Sequence, residues 1–165
     1  MTVTLYQGDC LEVMAGMDAN SVDLVAVDPP YYAVKDDAWD NQWASVAEYL
    51  EWIGALCEQW ERILKPNGSL YCFASPRLAA RVECEIGKRL NVLNHIVWGK
   101  AQGRAESACK EALRCFFGQS ERIIFAEHYG ADNIAKGEAG YAAKCDDLRG
   151  FVFEPLRAYL RSEEH

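Results

Sequence analysis

Val22-Asp23-Leu24-Val25-Ala26-Val27, followed at once by Asp28-Pro29-Pro30-Tyr31, decides how this chain folds. A near-continuous apolar run that stops at a rigid turn reads as a strand buried on both faces. Two successive prolines lock φ at two positions, remove two backbone donors and hold Asp28 extended. The resulting turn is stiff and rich in acceptors. It offers the Asp28 carboxylate and the Pro29 carbonyl to a ligand that has only protons to give, and an exocyclic amino group is such a ligand. Tyr31 adds a flat face on which a planar heterocycle stacks. A bare Asp-Pro pair would read as an ordinary strand-ending turn. The full Asp-Pro-Pro-Tyr turn, placed directly after a buried strand, favours a ligand site.

Outward from this turn, short apolar runs alternate with amphipathic helices. Residues 3–7 (VTLYQ) read as a strand, followed by a short helix over Cys10–Met17. From Ser45 to Leu64, apolar residues from Val46 to Leu64 recur at helical spacing. Ser45 with Glu48 forms a capping box, and Pro66-Asn67-Gly68 is a stop signal. Ser69–Ala74 is the next strand. Ser75-Pro76 opens a second helix whose face is Leu78, Ala79, Val82, Ile86 and Leu90. Val92–Trp98 and Arg122–Glu127 read as further strands, residues 104–115 as partly helical, and Glu154–Arg161 as a short helix. This alternation predicts an α/β fold with a mostly parallel sheet and flanking helices. Ligands of such sheets sit beyond the carboxyl ends of the strands. That rule singles out Asp28–Tyr32, Ser75, Gly99-Lys100 and His128-Tyr129. His95, inside a strand, reads as a satisfied core histidine.

The chain has 165 residues, enough for one compact domain. The division expected is a catalytic part over 1–128 and an irregular excursion with a terminal helix over 129–165. No apolar run reaches the ~18–20 residues of a membrane span, and the first ten residues do not read as a signal peptide. Seven cysteines without a Cys-x-x-Cys pair suggest free thiols in a reducing cytoplasm and no metal site. The net charge is −8. Residues 1–99 hold 7 Lys/Arg against 14 Asp/Glu, and residues 100–165 hold 10 against 11. This balance speaks against a nucleic-acid role unless a local patch supplies the field. The conspicuous basic run is Lys100, Arg104, Lys110 and Arg114.

Gly8-Asp9-Cys10-Leu11, Ser21-Val22-Asp23-Leu24 and Asp28-Pro29-Pro30-Tyr31 resemble, in that order, the opening of the amino-methylating DNA methyltransferases. These are the N6-adenine and N4-cytosine enzymes, here in the arrangement that puts the catalytic motif first, as in phage and prophage members. The likeness continues through Leu64-Lys65-Pro66-Asn67-Gly68-Ser69-Leu70, Trp98-Gly99-Lys100 and Ser120-Glu121-Arg122-Ile123-Ile124. The resemblance implies a Rossmann-like fold, S-adenosylmethionine as methyl donor, and double-stranded DNA with a flipped target base as substrate. It implies that Asp28 and the Pro29 carbonyl accept the amino hydrogens, within the catalytic set Asp28, Pro29, Pro30 and Tyr31. Tyr31 would stack on the base, and Asp9, with Cys10 and Asp28, would lie near the cofactor. An aspartate at the head of the motif is commoner in the adenine enzymes.

Lys35, Trp39, Asn41 and Trp43 follow the turn and are candidates to clamp the base or the DNA backbone, against an ordinary loop whose tryptophan anchors the next helix. Lys100 and Arg104 are candidate phosphate contacts, against a solvated helix face. The family's Phe-x-Gly-x-Gly donor turn and the strand after it have no match here, so the expected fold lacks two cofactor-side strands. Three explanations are open: an amino-terminal part of a longer enzyme, a chain completed by a complementary half, or a binding remnant without methyl transfer. An exposed sheet edge would also invite homo-oligomers. RNA or protein amide methylation is the alternative chemistry for such a turn.

Overall fold

A computed structural model describes residues 3–32, 42–100, 120–129 and 131. The chain divides into two units, Met1–Tyr129 and Gly130–His165. In the first unit the described elements are α1 (Cys10–Ala15), β1 (Val22–Val27), α2 (Val46–Ile63), β2 (Leu64–Ala74), α3 (Ala79–Gly87), β3 (Leu90–Gly99) and β4 (Ser120–His128). The expected helices over 104–115 and 154–161 lie outside the described residues.

The strands form one sheet in the order β1-β2-β4-β3. β1 runs parallel to β2, and β4 runs antiparallel to both β2 and β3. Three of the four strands therefore point the same way, and β4 is inserted between two of them in the opposite sense. The α/β reading with a largely co-directional sheet holds.

α2 forms where helical periodicity places it. Ser45 caps it, its hydroxyl accepting from the Glu48 amide at 3.2 Å. Glu48 reaches back and accepts from the Ala44 amide at 2.8 Å, which completes a capping box displaced by one residue. The inner face of α2 buries Tyr49, Ile53, Leu56, Cys57, Trp60 and Ile63. α3 buries Ala79, Val82 and Ile86. Both helices join one core with Leu70, Cys72, Ile124 and Ala126 of the sheet. Each large apolar side chain in this core contributes about 1.5–3 kcal/mol relative to exposure. Arg62 ties α1 to α2 by donating to the carbonyls of Met17, at 2.8 Å, and Met14. The Met14 carbonyl also accepts from the Met17 amide at 2.9 Å.

Several local expectations change. Residues 3–7 form no strand; Val3, Leu5 and Tyr6 are exposed, because an isolated extended segment has no ladder to join. β1 is not buried on both faces: Leu24 is 53% exposed. Its outer edge has no neighbour among the described strands, and α2 and α3 pack on the face that carries Leu70 and Cys72. β2 begins at Leu64, straight after α2, rather than at Ser69. The Pro66-Asn67-Gly68 stretch is absorbed as an irregularity, with Val22 opposite Leu64 but Leu24 opposite Ser69. Leu90, fully buried, opens β3 rather than closing α3. His95 is not in the core; its ring nitrogen lies 2.9 Å from Glu83 at the surface.

Candidate functional site

The topology defines one candidate functional edge. The carboxyl ends of β1, β2 and β3 meet there with the amino end of β4. It thus collects Asp28–Tyr32, Ser75, Gly99-Lys100 and Ser120-Glu121, with Gly99 paired opposite Ser120 and Trp98 opposite Glu121. Ser120 and Glu121 reach this edge because β4 runs antiparallel to its neighbours, a direction that strand order alone does not carry. For the same reason His128 and Tyr129 fall at the opposite edge. His128 sits 3.1 Å from the Leu64 carbonyl, and the Tyr129 hydroxyl donates to the Gly87 carbonyl at 2.5 Å. They are structural, which corrects their inclusion among the site-edge residues.

The Asp28-Pro29-Pro30-Tyr31 turn lines an open cavity of about 300 Å³. Asp28 is exposed, Pro29 is buried, and Pro30 and Tyr31 are half-buried. The two prolines supply the stiffness, and burial of Pro29 fixes the turn to the sheet. Tyr32, the next residue, packs its ring against Tyr49 of α2. Asp28, exposed and lining the cavity, thus sits on a corner held from two sides.

Tyr31 is unusual. Its hydroxyl oxygen is buried and has no hydrogen-bond partner among the described residues. Its pKa is pushed well above the ordinary phenol value, first by burial, then by the nearby Asp28 carboxylate, then by Glu121 and Cys72. The Asp28 carboxylate acts on the phenol both by its charge and by an approach within hydrogen-bonding reach that falls short of full hydrogen-bond geometry. Burial also raises the Cys72 thiol, with Cys57 and Asp28 adding to the effect. Lys100 is ion-paired with Glu121, and its ammonium lies 5.2 Å from the Trp98 ring centroid. Trp98 in turn meets Phe73 edge-on at 5.8 Å.

Asp9 caps α1: its Oδ1 accepts from the amides of Leu11, at 2.8 Å, and Glu12, at 3.3 Å. Gly8 before it has φ of 152°, a conformation open to glycine and rare for other residues. Cys10 is an exposed free thiol whose pKa is raised by partial desolvation and by Asp9. Trp43 packs against Tyr49 and Trp52, each with ring centroids 4.9 Å away; this packing makes it an anchor of α2. Lys35, Trp39, Asn41 and Arg104 lie outside the described residues. No group of three or more metal-ligating side chains occurs among the described residues. No described helix is long and apolar enough to cross a membrane.

The family profile described as DNA methylase, of the N6/N4 type, matches residues 22–135. The chain belongs to this N6/N4 DNA methylase family. It is 32% identical over 93 residues to the type II methyltransferase M.BamHI of Bacillus amyloliquefaciens, covering 56% of this chain and 22% of that protein. It is 29% identical over 96 residues to the DNA adenine methyltransferase YhdJ of Escherichia coli, covering 58% and 32%. In fold it is similar to TTHA0409 of Thermus thermophilus, a DNA modification methylase solved in complex with S-adenosyl-L-methionine. The TM-score is 0.54 at 22% identity, over 73% of this chain and 53% of that one. The chain therefore spans about a third or less of those two relatives and about half of the solved structure.

Proposed function

We propose that this chain carries the catalytic corner of a DNA amino-methyltransferase that transfers a methyl group from S-adenosylmethionine to N6 of adenine, or alternatively to N4 of cytosine. The observation that supports this most is Asp28: an exposed carboxylate on a proline-stiffened turn, at the lip of a cavity, beside an aromatic ring.

The chemistry asked of the turn is limited. Asp28 and the Pro29 carbonyl accept the two hydrogens of the amino group. This withdraws the nitrogen lone pair from the ring and aims it outward. Tyr31 covers the ring of a base swung out of the duplex and excludes water. Positioning and electrostatics carry the rate, without a covalent intermediate on the protein. When bound, the donor supplies an electrophilic methyl group on a sulfonium centre. Asp9, Cys10 and Asp28 are the residues that would hold it. They fit it in one respect: the hydrogen bonds described for Asp9 fall on Oδ1, and together with exposed Asp28 these carboxylates suit a cationic ligand.

Lys35, Trp39, Trp43 and Arg104 remain proposed DNA contacts, joined by Lys100 if it leaves Glu121. Residues 129–165 are proposed as the start of a target-facing region. The outer edge of β1, unpaired among the described strands, is proposed as the place where a complementary half or a second copy continues the sheet.

The test is transfer of labelled methyl groups from S-adenosylmethionine to separate DNA, RNA and protein pools, with the methylated nucleoside identified by mass. Label in N6-methyladenine or N4-methylcytosine of DNA is the expected result. Label confined to RNA or protein, or no transfer at all, overturns the proposal.

A further inference from the structure

The Tyr31 hydroxyl has no task in the reading above, which uses only the ring. Yet that hydroxyl is buried and unpartnered. Buried polar groups are almost always hydrogen-bonded, and an orphan is costly. It persists where the surrounding fold holds it for another state of the site. Because the oxygen is shut off from solvent, the protein groups that reach it are the first candidates for its partner.

Two carboxylates lie close enough to act on it, Asp28 and Glu121. Glu121 is already engaged by Lys100, which also sits over the Trp98 ring. Asp28 is exposed at the cavity and has no ion pair among the described residues. We propose that the Tyr31 hydroxyl is a positioning group for Asp28. When a base fills the cavity, the hydroxyl donates to the Asp28 carboxylate and fixes the rotation of the oxygen that receives the amino hydrogen. A carboxylate has acceptor sites for both bonds. The inference rests on the methyl-transfer reading and deepens it, since it gives one side chain two separable jobs. The ring holds the base, and the hydroxyl aligns the acceptor.

The experiment compares wild type with Tyr31→Phe, which keeps the ring, and Tyr31→Ala, which loses both groups, in the full-length protein. Steady-state methyl transfer to duplex DNA and thermal unfolding are both measured. For Tyr31→Phe the expected result is a kcat lower by roughly tenfold or more with KM for DNA unchanged. Its Tm should be unchanged or raised by about 2–4 °C, because an orphan hydroxyl has been removed. Tyr31→Ala should lose kcat and raise KM as well. A Tyr31→Phe protein with wild-type kcat overturns the inference and leaves the methyl-transfer reading standing. A drop in its Tm, or a rise in KM matching the fall in kcat, also overturns it, by assigning the hydroxyl to the fold or to base binding. Absence of transfer in the wild type sinks the functional reading itself, and the inference falls with it.

Discussion

The ring of Tyr32 lies 6.0 Å from the ring of Tyr49, tilted by 42°. Tyr49 is almost fully buried on α2 and also meets Trp43 and Trp52. The residue that follows the candidate catalytic turn is thereby fastened to the main core helix. Replacing Tyr32 by Ala is expected to lower stability by about 1–3 kcal/mol and to reduce methyl transfer by loosening the turn. Tyr32→Phe should keep both. Thermal unfolding and transfer assays on the two variants check this; equal behaviour of Tyr32→Ala and wild type would count against the anchor.

The cap of α2 gives a second expectation. Ser45→Ala removes the acceptor for the Glu48 amide and should cost about 1 kcal/mol. In a chain of this size that is a Tm loss of about 2–4 °C. Ser45→Asp should restore it. A calorimetric scan decides.

Thiol chemistry divides by burial. Cys57 and Cys72 are buried, while Cys10 and Cys84 are exposed. At pH 8 in native buffer, a maleimide should label Cys10 and Cys84 and spare Cys57 and Cys72 until denaturant is added; peptide mapping by mass spectrometry reads this out. The folded Cys57 thiol is pushed up to about 12, mainly by burial and then by Glu85. The thiol stays protonated in the fold, so its contribution is fully present below pH ~9 and is lost as pH climbs from there toward 12. Tm should fall across that window, and less steeply in Cys57→Ala.

The outer edge of β1, unpaired among the described strands, yields a hydrodynamic expectation. Leu24 is half exposed on an edge strand, and Val3, Leu5 and Tyr6 are exposed as well. Unpaired edges template further pairing. Gel filtration with light scattering should show self-association that weakens when Leu24 is changed to Lys. A monomer at all concentrations would contradict it.

Much of this architecture was legible in local sequence. β1 occupies Val22–Val27 as expected, because an apolar run ended by two prolines has little choice. α2 obeys its periodicity and its capping residues almost to the residue. What local pattern could not carry was direction. Ser120–His128 is apolar enough to be a strand in either sense, and only its insertion between β2 and β3 shows that it runs backwards. That reversal places His128 away from the candidate edge and Glu121 at it. Burial was misjudged for β1 and for His95, since a hydrophobic period states which residues can be covered, not whether a layer is there to cover them. The Asp-Pro-Pro-Tyr turn stands out in the sequence by its own chemistry as a candidate site. The buried Tyr31 hydroxyl, which depends on packing, left no trace in the sequence.

Asp28 carries the central claim, and substituting it is the most direct measurement. Full-length protein and its Asp28→Ala variant, shown to be equally folded by circular dichroism, are assayed for methyl transfer from S-adenosylmethionine to duplex DNA. Transfer by the wild type and a loss of about two orders of magnitude or more in the variant is the predicted result. Undiminished turnover by Asp28→Ala would contradict the account.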